Sequence, residues 1–255
     1  MNPPLVIPAA GLVGLCLGSF ANVLVWRLPR NEQVVRGRSH CPHCRTTIAW
    51  HDNLPLLGWL LLRGRCRACG ETISPRYPLV ELAGGLLAVG CVWWFGTTAA
   101  AAAAFVFLYL LGVIAVIDWQ HMIIPHTLTI AGMAAGLALA GAAGPGLGPA
   151  LLGLLVGGGS VWLLSEGYRV LRGQAGMGGG DVMLMAMVGA FLGPWSAAAV
   201  LAAGALLGTL FVVARGGGRL EATAKLPFGT FLAAAAALVM LAGPSIWSWY
   251  MGFLA

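Results

Sequence analysis

Charge is what this 255-residue chain has least of. Only 9% of its residues are Asp, Glu, Lys or Arg, against about 25% in soluble domains, which excludes an ordinary water-soluble globule. Five stretches carry no charge at all: residues 1–26, 82–117, 127–165, 182–214 and 226–255. Other absences narrow the chemistry. No Lys-Ser/Thr follows the glycine run at 176–180 and no Rossmann context surrounds it, so it does not read as a phosphate cradle. The net charge is +6, but no recognised nucleic-acid-binding module is present, and nucleic acid is not expected as a partner.

What is there is lipid-compatible length. A membrane span needs about 20 residues. The first uncharged run holds one helix, and the 36-residue second run divides at Gly96-Thr97-Thr98. The third divides across residues 141–149, where glycine and proline cluster, and the fourth at Gly193-Pro194. The last gives one long helix and a tail, with Pro244 as a possible break. Eight spans result, and the expected fold is an all-α polytopic membrane protein. The first run lacks a basic start and a small-residue cleavage site, so it is expected to remain as a span rather than leave as a signal peptide.

The cations set the topology. Nine of the fourteen lie between Arg27 and Arg76; Arg169 and Arg172 precede the glycine run, and Arg215, Arg219 and Lys225 follow the seventh span. With eight spans all of them fall on one side, which the positive-inside rule makes cytoplasmic. Both termini then face outward, and the basic balance reflects orientation, with anionic membrane lipid a lesser contribution.

Residues 27–77 form the one long hydrophilic block. They carry Cys41-Pro42-His43-Cys44 and Cys66-Arg67-Ala68-Cys69, two C-x-x-C pairs. Each pair makes a tight turn that aims two sulfurs at one centre, so the expectation is a structural zinc ion held by Cys41, Cys44, Cys66 and Cys69. A reducing cytosol disfavours disulfides, and a redox motif needs only one pair. About 50 residues bury too little to fold unaided, so the metal is expected to supply much of the folding free energy. His40 and His43 are neighbouring alternative ligands, while Cys16 and Cys91 read as small buried hydrophobes.

Two lone acids, Asp118 and Asp181, stand at the edges of apolar stretches. An ionisable group at the centre of a span costs about 2.5–3.5 kcal/mol on insertion scales, and one at the edge of an apolar stretch is still disfavoured, so each is a functional candidate. Together they point to acid–base hydrolysis by a carboxyl pair. Each also has a plain reading, Asp118 as an interfacial residue at a helix end and Asp181 as a helix N-cap. Glycines 178–180 weigh against the second by leaving room for another chain beside the acid. So does length: the stretch from Asp181 to Leu192 rises only about 18 Å. Pro125 fits the opening turn of the following helix. His121 and His126 read as interfacial polar residues more readily than as substrate contacts.

Taken in order, these motifs resemble the type IV prepilin peptidases, also called leader peptidase/N-methyltransferases. Gly18-Ser19-Phe20-Ala21-Asn22-Val23 with Arg27-Leu28-Pro29 looks like the family's opening span. Cys41, Cys44, Trp50, Asp52-Asn53, Pro55, Arg63-Gly64-Arg65-Cys66 and Cys69 resemble its cysteine domain, and Arg76-Tyr77-Pro78-Leu79-Val80-Glu81 its lead into the second span. Asp118 with Ile124-Pro125, and Gly178-Gly179-Gly180-Asp181, resemble its two acid motifs; Leu226-Pro227-Phe228-Gly229 resembles a late one. One departure is Met183, where the family commonly has lysine.

The resemblance implies a bifunctional aspartic peptidase in the bacterial inner membrane, its catalytic pair and zinc domain facing the cytoplasm. The implied catalytic residues are Asp118 and Asp181, with Gly178, Gly179 and Gly180 as the loop along which a substrate lies. The expected substrates are prepilins or pseudopilins, whose new N-terminus is methylated from S-adenosylmethionine; the resemblance names no residue that binds this donor. Cleavage without methylation is the alternative. The expected domains are residues 1–26 as first helix, 27–77 as the cytosolic zinc-binding domain between helices 1 and 2, and 78–255 as the multi-helix peptidase domain. A presenilin-type intramembrane protease would lack the cysteine domain. A proton-coupled transporter or a non-catalytic zinc scaffold would leave prepilin uncut.

Overall fold

The computed structural model describes residues 3–35, 37–173, 176–216 and 226–254. Three of the cations used above to orient the chain, Arg36, Arg219 and Lys225, lie outside the described residues. Among the described residues eight α-helices run in order: α1 Pro3–Arg27, α2 Leu57–Leu61, α3 Arg76–Phe95, α4 Ala99–His121, α5 His126–Ala143, α6 Leu147–Arg172, α7 Gly179–Gly216 and α8 Phe228–Leu254. No strand occurs among the described residues, only isolated bridges pairing His40 with Thr47 and Arg65 with Thr72.

Six helices, α1 and α3 to α7, are long and apolar enough to cross a membrane. The 38-residue α7 is two helices joined at Gly193, where φ is 80° and helical geometry fails. Only glycine takes that conformation without strain, and Pro194 has no N–H for the preceding turn. Counting both halves of α7 and the apolar part of α8 (Phe228–Gly243) gives about eight apolar helices, in line with the number read from the sequence, though the first half of α7 and this part of α8 are shorter than a full span. The breaks at Gly96 and between α5 and α6 also fall where glycine and proline placed them. Pro244 does not end α8, which continues to Leu254.

The chain divides into two compact units, Met1–Phe105 and Val106–Ala255. In the first, α1 meets α3 through small residues. A methyl group added at Gly14 would strike the Gly84 carbonyl, and one at Gly18 would lie 2.7 Å from the Glu81 Cα. Lipid tails compete equally for apolar side chains, so such close backbone approach is what holds membrane helices together.

In the second unit, the first half of α7 is the core. Leu184, Met185, Met187, Val188 and Ala190 are fully buried. Gly153 and Gly157 of α6 sit directly against the backbone of α7 near Gly189 and Met185. From α5, Gly132 and Gly136 admit Met187 and Phe191. Phe191 stacks on Phe107 of α4 at 4.7 Å between ring centres, and α4 continues inward through Ile114 and Ile117, both at 0% exposure. The buried half of α7 thus fixes Asp181 at its head, and the buried face of α4 carries Asp118 at its foot.

Candidate active site and metal centre

Asp118 lies in the last turns of α4 and is only 4% exposed. Apart from Thr129, it is the one polar or charged residue among the described residues that is buried. Its Oδ2 accepts a hydrogen bond from the Thr230 backbone N–H at 2.8 Å, and the Thr230 hydroxyl lies 3.1 Å away. Thr230 belongs to the first turn of α8, where backbone N–H groups lack helical partners and the helix dipole is positive. The carboxyl of α4 therefore caps α8.

Asp181 occupies the first turn of α7 and is half-buried. Its Oδ2 reaches back to accept from the Gly178 N–H at 3.2 Å, while its own N–H donates to the Gly178 carbonyl at 3.1 Å. This is the reach-back half of a capping box, with the acid three residues after the cap. Both acids thus stand at helix N-termini, in orientations fixed by backbone donors.

One side chain packs against the backbone beside both acids. Ile124, 8% exposed, sits where a Cβ on Gly180 would be 2.8 Å from its Cβ and one on Gly229 would be 2.6 Å from its Cδ1. A Cβ on Gly229 would also come within 3.0 Å of Asp118 Oδ2. The α4–α5 turn that carries Ile124 is formed by Met122 at φ 54° and by Pro125 capping α5. The glycines before Asp181 are not equivalent: around a Cβ on Gly179 nothing lies within 4 Å, and on Gly178 the nearest atom would be 3.6 Å away. The chain itself crowds Gly180 and leaves Gly178 and Gly179 open.

The four cysteines form a separate cluster in the first unit. Their Sγ atoms all lie within 4.8 Å of one another, with Cys41 and Cys69 at 3.9 Å. Tetrahedral zinc with bonds of about 2.3 Å needs sulfurs about 3.8 Å apart, so the donor set fits that ion. The two C-x-x-C turns are built alike. Arg45 N–H returns to Cys41 O at 2.9 Å and Gly70 N–H to Cys66 O at 2.9 Å, each from a residue with positive φ. His40 and His43 are not part of the cluster.

Hydrogen bonds from Thr46 bring the Cys44 thiol down to about 6, and the backbone N–H groups of Cys69 and Ala68 lower Cys66. Against the Glu71 N–H, which favours its thiolate, burial and the neighbouring sulfurs push Cys69 up to about 12. Four thiolates at this separation repel, and a divalent cation among them removes that conflict.

Two polar contacts anchor this loop. Arg67, inside the second C-x-x-C, grips Asp52 with two bonds of 2.8 and 2.6 Å and holds its carboxyl below the ordinary range. Glu81 of α3 accepts from the Leu56 N–H at 2.8 Å, at a backbone position with φ 61°.

Two family descriptions cover most of the chain: Bacterial Peptidase A24 N-terminal domain matches residues 12–95, and Type IV leader peptidase family matches residues 105–213. The boundary between them coincides with that between the two compact units. A prepilin leader peptidase/N-methyltransferase of Stutzerimonas stutzeri is 34% identical over 280 residues, covering 99% of this chain and 96% of its own. This chain belongs to the prepilin leader peptidase/N-methyltransferase family. Proteins of the same name from Klebsiella pneumoniae, 42% identical over 73% of this chain and 84% of their own, and Myxococcus xanthus, 45% identical over 86% and 67%, are further relatives. No solved structure matches it.

In this leader peptidase relative, the acid motifs and the Leu226-Pro227-Phe228-Gly229 motif converge on one place, around Ile124, Gly180 and Gly229. His121 and His126 are exposed, and Met183 is half-buried one residue beyond the first turn of α7. Sequence reasoning missed Thr230. The available signal was its position three residues after Pro227 at a helix start, where an N–H is free to donate.

Proposed function

We propose that this chain is a membrane aspartic endopeptidase that removes the leader from type IV prepilins or pseudopilins and methylates the amine it exposes. The observation that supports this reading is that Ile124 packs against Gly180, the neighbour of Asp181, and against Gly229, where a Cβ would lie 3.0 Å from Asp118 Oδ2. One carboxylate takes a proton from water as the oxygen attacks the scissile carbonyl, and the other, protonated, hydrogen-bonds the carbonyl oxygen. The resulting tetrahedral adduct expels the amine, which takes back a proton from the pair. Which acid starts as base is a property of the coupled pair rather than of either residue. The openness at Gly178 and Gly179 supports an extended substrate segment lying along that loop.

Domain roles follow: residues 1–26 as anchoring helix, 27–77 as metal-binding loop and 78–255 as the peptidase domain. Cys41, Cys44, Cys66 and Cys69 would hold a zinc ion whose role is structural, because four thiolates leave no coordination position for water. When bound, S-adenosylmethionine would supply the electrophilic methyl group for the new amine. The clustering of arginines in residues 27–76 supports a cytoplasmic position for the loop and both acids in a bacterial inner membrane.

The test is purified protein incubated with a prepilin and S-adenosylmethionine, with mass spectrometry of the mature N-terminus. Wild type should release the leader and add one methyl group. Asp118→Asn and Asp181→Asn should each abolish cleavage at equal membrane level. Near-normal cleavage by either one refutes the carboxyl pair.

A further inference from the structure

Thr230 has one hydroxyl hydrogen and two acceptors at the same distance. Its Oγ1 lies 3.1 Å from Asp118 Oδ2 and 3.1 Å from the Ala115 carbonyl one turn earlier on α4. Its backbone N–H donates to Oδ2 at 2.8 Å and, more weakly, to the Pro227 carbonyl at 3.2 Å. With Asp118 ionised, the hydroxyl turns to Oδ2, which then receives two donors while Oδ1 receives none from Thr230. With Asp118 protonated, the hydroxyl turns to Ala115 O and no longer competes for the carboxyl. The absence of a Cβ at Gly229 allows this approach, since that atom would sit 3.0 Å from Oδ2.

We infer that Thr230 is a positioning residue that fixes Asp118 through Oδ2, leaves Oδ1 as the oxygen that exchanges the proton with water, and follows each change of charge by rotating its hydroxyl between Oδ2 and Ala115 O. The inference rests on Asp118 being one of the catalytic pair and adds which of its oxygens reacts. A hydroxyl in this place serves two charge states of one carboxyl, where a fixed donor would favour the ionised form alone. Both bonds link the start of α8 to the foot of α4 over more than 110 positions of sequence, |i−j| being 112 and 115.

The experiment compares Thr230→Val, Thr230→Ala and Thr230→Ser with wild type, using purified protein, a prepilin substrate and full kcat and KM determination. Valine keeps the shape and the backbone N–H but removes the hydroxyl. Alanine removes the hydroxyl without added branching and covers the case in which valine lowers the yield of inserted protein. Loss of a hydrogen bond to a charged group predicts a fall in kcat on the order of 10- to 100-fold in both, with KM within about twofold. Serine restores the hydroxyl and should return kcat to within about threefold of wild type. Wild-type kcat in a folded Val or Ala variant overturns the inference. So does a serine variant as slow as alanine, or a loss confined to KM. Asp118→Asn, run alongside, separates the two claims. If it is inactive while Thr230→Ala is normal, only the role of Thr230 fails; if it cleaves normally, the carboxyl pair itself fails.

Discussion

Replacing Gly180 with alanine puts one methyl group into the narrowest contact of the site. The new Cβ would lie 2.8 Å from Ile124 Cβ, about 0.6 Å short of the 3.4 Å at which ordinary contact begins. Ile124 Cβ is attached to a backbone held by Pro125, and the side chain is buried, so the contact cannot be relieved by rotation. The strain passes to the first turn of α7 and so to the next residue, Asp181. Overpacking of this kind costs about 1–3 kcal/mol of stability. A misplacement of about 1 Å at a reacting group costs about 100-fold in rate, so about 0.6 Å predicts a loss of roughly tenfold in kcat.

Gly229→Ala should also slow cleavage, but there the clash is with the far end of Ile124, Cδ1, at 2.6 Å, together with Asp118 Oδ2 at 3.0 Å. Adding Ile124→Val removes Cδ1 and should recover part of the Gly229→Ala loss. It should recover none of the Gly180→Ala loss, since valine retains Cβ. At Gly179, where the chain leaves a Cβ unopposed, alanine should act on substrate fit, raising KM and leaving kcat nearly unchanged. Initial rates of prepilin cleavage over a substrate series, at matched levels of inserted protein, give these values. A Gly180→Ala enzyme with wild-type kcat, or one rescued by Ile124→Val, would refute the account of Gly180 and Gly229 as close-packed against one isoleucine.

Two predictions concern the first unit. Elemental analysis should find about one zinc per chain in wild type and little in the Cys41→Ser/Cys44→Ser variant. Any such variant that still inserts should retain measurable leader cleavage, whereas Asp181→Asn shows none. The Arg67 grip on Asp52 depresses the Asp52 pKa below 3.8, so its stabilisation of the loop is complete above that value and lost as pH falls through the depressed one. Asp52→Asn should therefore flatten the acid end of the pH–stability curve, read by protection of residues 27–77 from protease; an unchanged curve counts against the pair.

The sequence made the helical plan legible because membrane helices announce themselves by length and by the glycines and prolines that end them. Gly96, Gly193 and the stretch between α5 and α6 all broke where expected. The four cysteines were legible for a similar reason, since C-x-x-C spacing is local geometry. The partners of the acids were not. Thr230 meets Asp118 across 112 positions, and nothing in the residues around either one signals the other. Ile124 was read as part of a motif, yet its place between Gly180 and Gly229 depends on how α4, α7 and α8 converge. Asp52 and Arg67 were likewise quoted as motif members or neighbours, and only the folded loop makes them a bidentate pair.

The break at Gly193 has a bearing on the lipid itself. The helical half that begins at Gly179 and stops there is 14 residues or so, a length of about 21 Å, while a bilayer's hydrocarbon is about 30 Å thick. Were this half to span the bilayer, the mismatch would draw the headgroups inward, a local dimple in the leaflet nearest Asp181. Water can then reach the acids without a channel through the protein. A membrane-embedded substrate would then have the bond to be cut at the floor of that dimple. Hydrolysis would thus take place at a thinned patch of membrane surface that the enzyme itself creates.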